Sequence, residues 1–160
     1  MNVSGEFTVD APRATVFDTI RDPKSFISLV DGIRDLKEID PTHYQAVFET
    51  KIAYLNFRFN VSVEVTKLEI GEISAKIEGT PLGVVGRLTA TTKTTLTEAG
   101  DVTQIAYSVD AVLAGKLGSM GQPVLRSKAK DMEKQFANRL RAHFTPASPS
   151  LSPLAGRGSG

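Results

Sequence analysis

The sequence predicts an α+β domain in which a large antiparallel sheet is covered by one long helix near its C-terminal end. Three observations predict it. Apolar and polar residues alternate with period two almost continuously from Ile33 to Leu113. The turns between the alternating runs are too short for a parallel crossover, so neighbouring strands run antiparallel. Between Leu117 and Phe144 the apolar residues instead fall in steps of three and four, the spacing of one helix face.

Taken in order, Val3 to Val9 alternates as a half-buried strand, with Val3, Gly5, Phe7 and Val9 on one side. Asp10-Ala11-Pro12 reads as the start of a helix that runs to about Arg21 and turns Val16, Phe17 and Ile20 inward. Asp22-Pro23 breaks it, because a residue before proline avoids helical geometry. A second short helix, Lys24 to Leu29, presents Phe26, Ile27, Leu29 and Val30, and Asp31-Gly32 turns the chain. Strands are then predicted at Ile33–Ile39, Tyr44–Tyr54, Phe57–Val65, Ile73–Ile77, Gly86–Leu96 and Val102–Leu113. Gly79 to Gly86 reads as a loose connection. Six consecutive strands leave one apolar face to cover, and the last helix is the only element long enough to cover it.

That helix has two unlike halves. Met132, Phe136 and Leu140 give its second half a thick apolar stripe that holds the sheet. In its first part Gly115, Gly118 and Gly121 recur every third residue and remove side chains from one side, as in a lid over a cavity. Pro123 either opens the helix as an early-turn proline or bends one that began near Lys116. Residues 145–160 are dominated by serine, proline and glycine and are predicted disordered, which leaves 1–144 as one domain.

Several function classes are excluded by composition. Net charge is +1 with scattered basic residues, which gives no footprint for nucleic acid. The absence of cysteine rules out disulfides, thiolate chemistry and cysteine-bound metals. No apolar run is long enough to span a bilayer, and MNVSGEFTVDAP has no signal-peptide pattern, so the expected location is cytoplasmic.

Residues able to do chemistry are few. His43 and His143 lack a carboxylate or second histidine at ligand spacing and read as surface residues. Asp110 lies in an apolar strand but shares a face with Ser108, Ala106 and Val112, so it reads as outward-facing, near Lys116. Gly118-Ser119-Met120-Gly121 lacks the lysine and hydroxyl that follow a phosphate loop. On spacing alone, its small residues fit close backbone packing and room for a ligand equally well. Phe17, Phe26, Phe57, Phe59 and Phe136 read first as core, although apolar side chains also line ligand pockets.

A family resemblance rests on Gly5-x-Phe7, Ala11-Pro12, Val16-Phe17, Asp22-Pro23, Gly32 and Leu36, then on Tyr107-x-Val109-Asp110-Ala111, Gly115-Lys116-Leu117, Gly121, Ala129, Met132 and Phe136. In this order they resemble the helix-grip fold of the START/Bet v 1-like (SRPBCC) superfamily, and more closely the CoxG family of carbon monoxide dehydrogenase proteins, over all but the tail. The resemblance implies a seven-stranded antiparallel sheet wrapped around the C-terminal helix, with two short helices between strands 1 and 2 and an apolar tunnel inside. It implies a non-catalytic accessory of a molybdenum-containing carbon monoxide dehydrogenase that binds a lipid or a respiratory quinone such as menaquinone. No intrinsic cofactor or metal is implied, and a peripheral contact with the inner face of the cell membrane is. Many relatives continue into an extension ending in a membrane-binding segment, and no apolar helix of that kind occurs up to Gly160.

On that basis Leu117, Met120, Gly121, Val124 and Leu125 are expected on the helix side of the tunnel. Phe57, Phe59 and Val61 are expected on the sheet side, and Phe26 and Leu29 at the mouth. Tyr54 and Tyr107 would offer hydroxyls to a quinone carbonyl or lipid headgroup if they face inward. Two rival readings stand beside the carrier. One is a small cyclase or hydrolase using Asp110 or Tyr107, and the other a membrane-docking or assembly factor with a filled core.

Overall fold

The computed structural model describes residues 1–144, so the segment predicted disordered lies outside the described residues. Its elements are β1 (Asn2–Val9), α1 (Arg13–Arg21), α2 (Pro23–Leu29), β2 (Ile33–Asp40), β3 (His43–Ile52), β4 (Leu55–Glu69), β5 (Glu72–Pro81), β6 (Gly86–Ala99), β7 (Val102–Gly115), a 3-10 turn at Gly118–Met120, and α3 (Gln122–Phe144). The seven strands form one sheet in the order β1-β7-β6-β5-β4-β3-β2, and every neighbouring pair is antiparallel.

Local chemistry sets the boundaries. Asp22 stands between the two short helices in extended geometry, and its carboxylate accepts from the Ser25 amide at 3.1 Å and the Ser25 hydroxyl at 2.8 Å. It is therefore the N-cap of α2, and Pro23 occupies a first-turn position where a missing N–H costs nothing. The choice left open at Pro123 resolves as an early-turn proline, because α3 starts at Gln122.

Three expectations that bear on the site change. Tyr54 does not extend β3: the chain turns at Ala53 and Tyr54, with Ala53 at φ 56°. The loose connection is only 82–85, because β5 continues to Pro81, pairing Gly79 with Val61 and Pro81 with Phe59. The repeated glycines before α3 do not hollow the helix. A Cβ on Gly118 would stand 2.7 Å from the Leu113 carbonyl oxygen, and Gly115, at φ 68°, meets the Val85 backbone in the same way. Close backbone packing is thus what these positions require.

Two buried clusters lie at opposite ends of α3. Near its C-terminus, Leu140 (0% exposed) joins Val9, Val16, Leu29, Leu96 and Ile105, with Phe7, Phe17 and Phe136 packed around them. Near its N-terminus, Leu117 and Leu125 pack with Ile52, Phe57 and Phe59. Of the stripe expected to hold the sheet, Leu140 and Phe136 do so, whereas Met132 is 36% exposed. Replacing Leu140 by alanine should cost about 2–5 kcal/mol, while Met132→Ala should cost on the order of 1 kcal/mol. Urea denaturation of both variants checks this, and equal losses would mean that the whole stripe is core.

The β2–β3 turn contains an exposed ion pair, with His43 Nδ1 2.9 Å from Asp40 Oδ1. The hydrogen bond to Asp40 raises the imidazole pKa, and the same bond, with help from the Thr42 amide, lowers Asp40 to about 2. His43's contribution is full below its ordinary 6.5 and disappears as pH rises through its raised folded value. Asp40's contribution is full above its ordinary 3.8 and disappears as pH falls toward 2. An NMR titration of Asp40→Asn should show the His43 midpoint falling. An unchanged midpoint would break this account.

Candidate ligand-binding groove

Directly opposed residues of antiparallel strands share a face, so the register gives the concave surface row by row. One row reads Val3–Val109–Thr92–Ala75–Val65, and the next Ala111–Ala90–Ile77–Val63–Tyr44. Burial falls along both. Val3, Ala111 and Ala90 are buried, whereas Ala75, Val65, Ile77, Val63 and Tyr44 are only half-buried although they point inward.

The position of α3 explains the gradient. Its backbone approaches β1 and, more lightly, β3. Arg126 donates to the Asn2 carbonyl at 2.8 Å and Arg141 to the Thr8 carbonyl at 3.0 Å, which fixes one flank of the helix to the edge strand β1. The middle of the sheet is left as an apolar trough with valines and an isoleucine on its floor. On the other flank, a crevice of about 320 Å³ opens between α3 and the β2–β3 edge, lined by Gly32, Phe48, Thr50, Lys128, Met132 and Gln135 among others. That volume lies in the range of small-molecule sites.

The residues predicted to line a tunnel divide. Phe57, Phe59, Leu117 and Leu125 are buried together, with Val61 and Met120 against them. They pack against one another: the rings of Phe57 and Phe59 stack at 5.8 Å, and Phe48 and Phe59 at 6.2 Å. The helix-start end is therefore part of the buried core. Phe26 and Leu29 are not at its mouth, because α2 lies at the opposite end. Leu29 is 1% exposed in the other cluster, and Phe26 meets Phe136 at 6.1 Å. Tyr54 is 92% exposed in its turn and cannot reach an interior ligand. Gly121 is exposed with φ 89° and only Pro123 near its would-be Cβ, so it serves the backbone turn into α3. Val124 stands at the exposed start of the helix, outside the cluster.

Tyr107 does face the concave side, opposite Gly5 and Thr94. Its hydroxyl donates to Glu133 Oε1 on α3. Burial and, next, this carboxylate push the phenol well above its ordinary pKa. In the sequence Glu133 is hidden among the charges of the solvated face, yet it continues the inward spacing 129–133–136. Asp110 is exposed on the convex face, as its alternation with Val109 and Ala111 predicts. Lys116 is exposed too. Among the described residues no group of three or more His, Cys, Asp or Glu side chains is placed to hold a metal, and no helix is long and apolar enough to cross a membrane.

Comparison with known proteins agrees with this architecture. A conserved protein from Geobacillus kaustophilus is similar over 89% of this chain and 94% of its own, at 22% identity and TM-score 0.83. A START superfamily protein from Mycobacterium smegmatis (15% identity, TM-score 0.67) covers 89% of this chain and 95% of its own. The Zhui aromatase/cyclase from Streptomyces sp. R1128 (13% identity, TM-score 0.67) covers 89% and 92%. At these identities the likeness establishes the START-like helix-grip fold. No curated protein matches the sequence. The family model for the CoxG subunit of carbon monoxide dehydrogenase matches residues 5–144, and the chain belongs to that family.

Proposed function

We propose that this domain is a non-catalytic carrier that holds one apolar molecule, a respiratory quinone such as menaquinone or a lipid, between α3 and the concave face of β4–β6. One observation carries the reading: Val63, Val65, Ala75 and Ile77 point inward from a long sheet yet are left half-buried. Water against such a surface is unfavourable, and an apolar tail laid there recovers about 25 cal/mol for each Å² it covers. The crevice beside Phe48 and Met132 offers a way in, with Lys51, Lys128, Asp31 and Asp131 at its rim. Membership of the CoxG family supports a molybdenum-containing carbon monoxide dehydrogenase as the partner.

A peripheral membrane contact has separate support. Tyr54, Leu82, Val84 and Val85 in the β3–β4 and β5–β6 turns, and Leu55 at the start of β4, are exposed apolar residues at the same end of the sheet, where the Leu82 amide donates to the Arg58 carbonyl at 2.8 Å. The enzyme reading loses one of its two candidate residues, since Asp110 faces away from the groove.

Native mass spectrometry with added menaquinone tests the carrier. One quinone should bind per chain and, in a parallel melt, stabilise the fold by about 2.7 kcal/mol at a hundredfold excess over Kd. Ala75→Trp, which fills the trough, should weaken uptake at least tenfold in a protein that still melts cooperatively. Undiminished binding by a folded Ala75→Trp would put the ligand elsewhere, and no uptake by the unaltered chain would leave a docking protein.

A further inference from the structure

On the β1 flank of the groove, away from the crevice rim, lies one polar pair, and its chemistry is one-sided. Tyr107 on β7 and Glu133 on α3 meet above Gly5 of β1. A Cβ at position 5 would stand 2.7 Å from Glu133 Oε1 and 2.8 Å from the Tyr107 hydroxyl oxygen, so the pair exists because that residue is glycine. Across the sheet Tyr107 opposes Thr94, and the next row runs through Thr92 to Ala75 on the trough floor, which puts the pair at the trough's β7 margin.

A tyrosine hydroxyl has one proton, and here it is given to Glu133 Oε1. What remains on the phenol is lone pairs. An ionised carboxylate has no proton to give, and Glu133 Oε2 accepts from no partner among the described residues. Lys130 Nζ lies 3.6 Å from Oε1, but its side chain is 59% exposed against 22% for Glu133, so the cation sits on the solvent side. The Thr92 hydroxyl lies 3.5 Å from the Ala75 carbonyl oxygen, and Thr92 and Thr94 can each donate or accept and so favour neither ligand.

We propose that Tyr107 and Glu133 form an acceptor-only anchor that selects an apolar ligand bringing its own hydrogen-bond donor, such as a phenol or hydroquinone hydroxyl, over one offering only carbonyl or ether oxygens. The inference rests on the groove being a ligand site. It also reverses the role expected of Tyr107: the hydroxyl does not donate to a quinone carbonyl, because its proton is already committed. For a quinone carrier the reduced form would then be the preferred cargo, since its hydroxyls can donate to the pair while a quinone carbonyl faces lone pairs.

The test compares 1-naphthol with 1-methoxynaphthalene, which differ at the donor, in equilibrium titrations of the full chain, followed anaerobically by menadiol and menadione. The unaltered protein should bind the hydroxyl compound at least about tenfold more tightly in each pair, the difference expected for a hydrogen bond to a charged group. Glu133→Gln, whose amide can donate, should shrink or invert the ratio. Tyr107→Phe, which keeps the carboxylate, should preserve it. A purely structural role for the pair would lower both affinities together and leave the ratio unchanged in Glu133→Gln, which would overturn the anchor. Equal affinities in the unaltered protein would overturn it without recourse to any variant, while leaving the groove as the binding site. Uptake of neither probe would overturn the groove and the anchor together.

Discussion

The structure depends on how α3 is held off-centre across the sheet. β1 is an edge strand, and an edge leaves backbone groups that must be covered or satisfied. Arg126 and Arg141 meet this need by donating to the Asn2 and Thr8 carbonyls, which draws the helix along β1. On the other flank Arg139 Nη2 reaches Asp31 at 3.1 Å, and Gln135 bonds the same residue at 3.3 Å. Individually such exposed contacts contribute little. The two buried clusters, anchored by Leu140 and by Leu117 with Leu125, supply the adhesion, and the polar contacts set its position.

A helix placed in this way cannot cover a sheet of seven strands, of which β4, β6 and β7 run fourteen or fifteen residues. The uncovered remainder falls on β4–β6. Its side chains are those of an interior, yet Val63, Val65, Ala75 and Ile77 belong to neither cluster. The apolar trough is therefore a consequence of the same contacts that stabilise the domain, and a ligand there would complete a core that the chain itself leaves unfinished.

The fold is legible in the sequence because it depends on patterns the chain repeats many times. Seven alternating runs, the Asp22-Pro23 break and the stripe ending in Phe136 and Leu140 each report local preferences that tertiary structure does not override. The site is less legible because it depends on register and on which elements face one another. Phe57, Phe59, Leu117 and Leu125 are recognisable as a group, but whether a group of apolar residues packs together or encloses space is settled by fit, which spacing does not encode. Leu29 and Phe26 are expected at the wrong end for the same reason: periodicity orients α2 but does not say which end of α3 it meets. The glycines mislead most directly. Absent side chains look like room, whereas at Gly115 and Gly118 the space is taken up by backbone oxygens.

Gly5 shows the other side of that lesson. Its missing Cβ does make room, but the room is filled by Tyr107 and Glu133 from two other elements. The pairing matters for how a carrier divides its work. Apolar burial is non-directional, so the trough would take many greasy molecules with similar affinity, and its half-open state limits how tightly any is held. A hydrogen-bonded carboxylate at the margin adds direction without adding much buried area. In the proposed carrier, affinity modest enough for release and selection by a single polar group would then reside in different residues, with the Glu133 carboxylate choosing the ligand and Val63, Val65, Ala75 and Ile77 holding it.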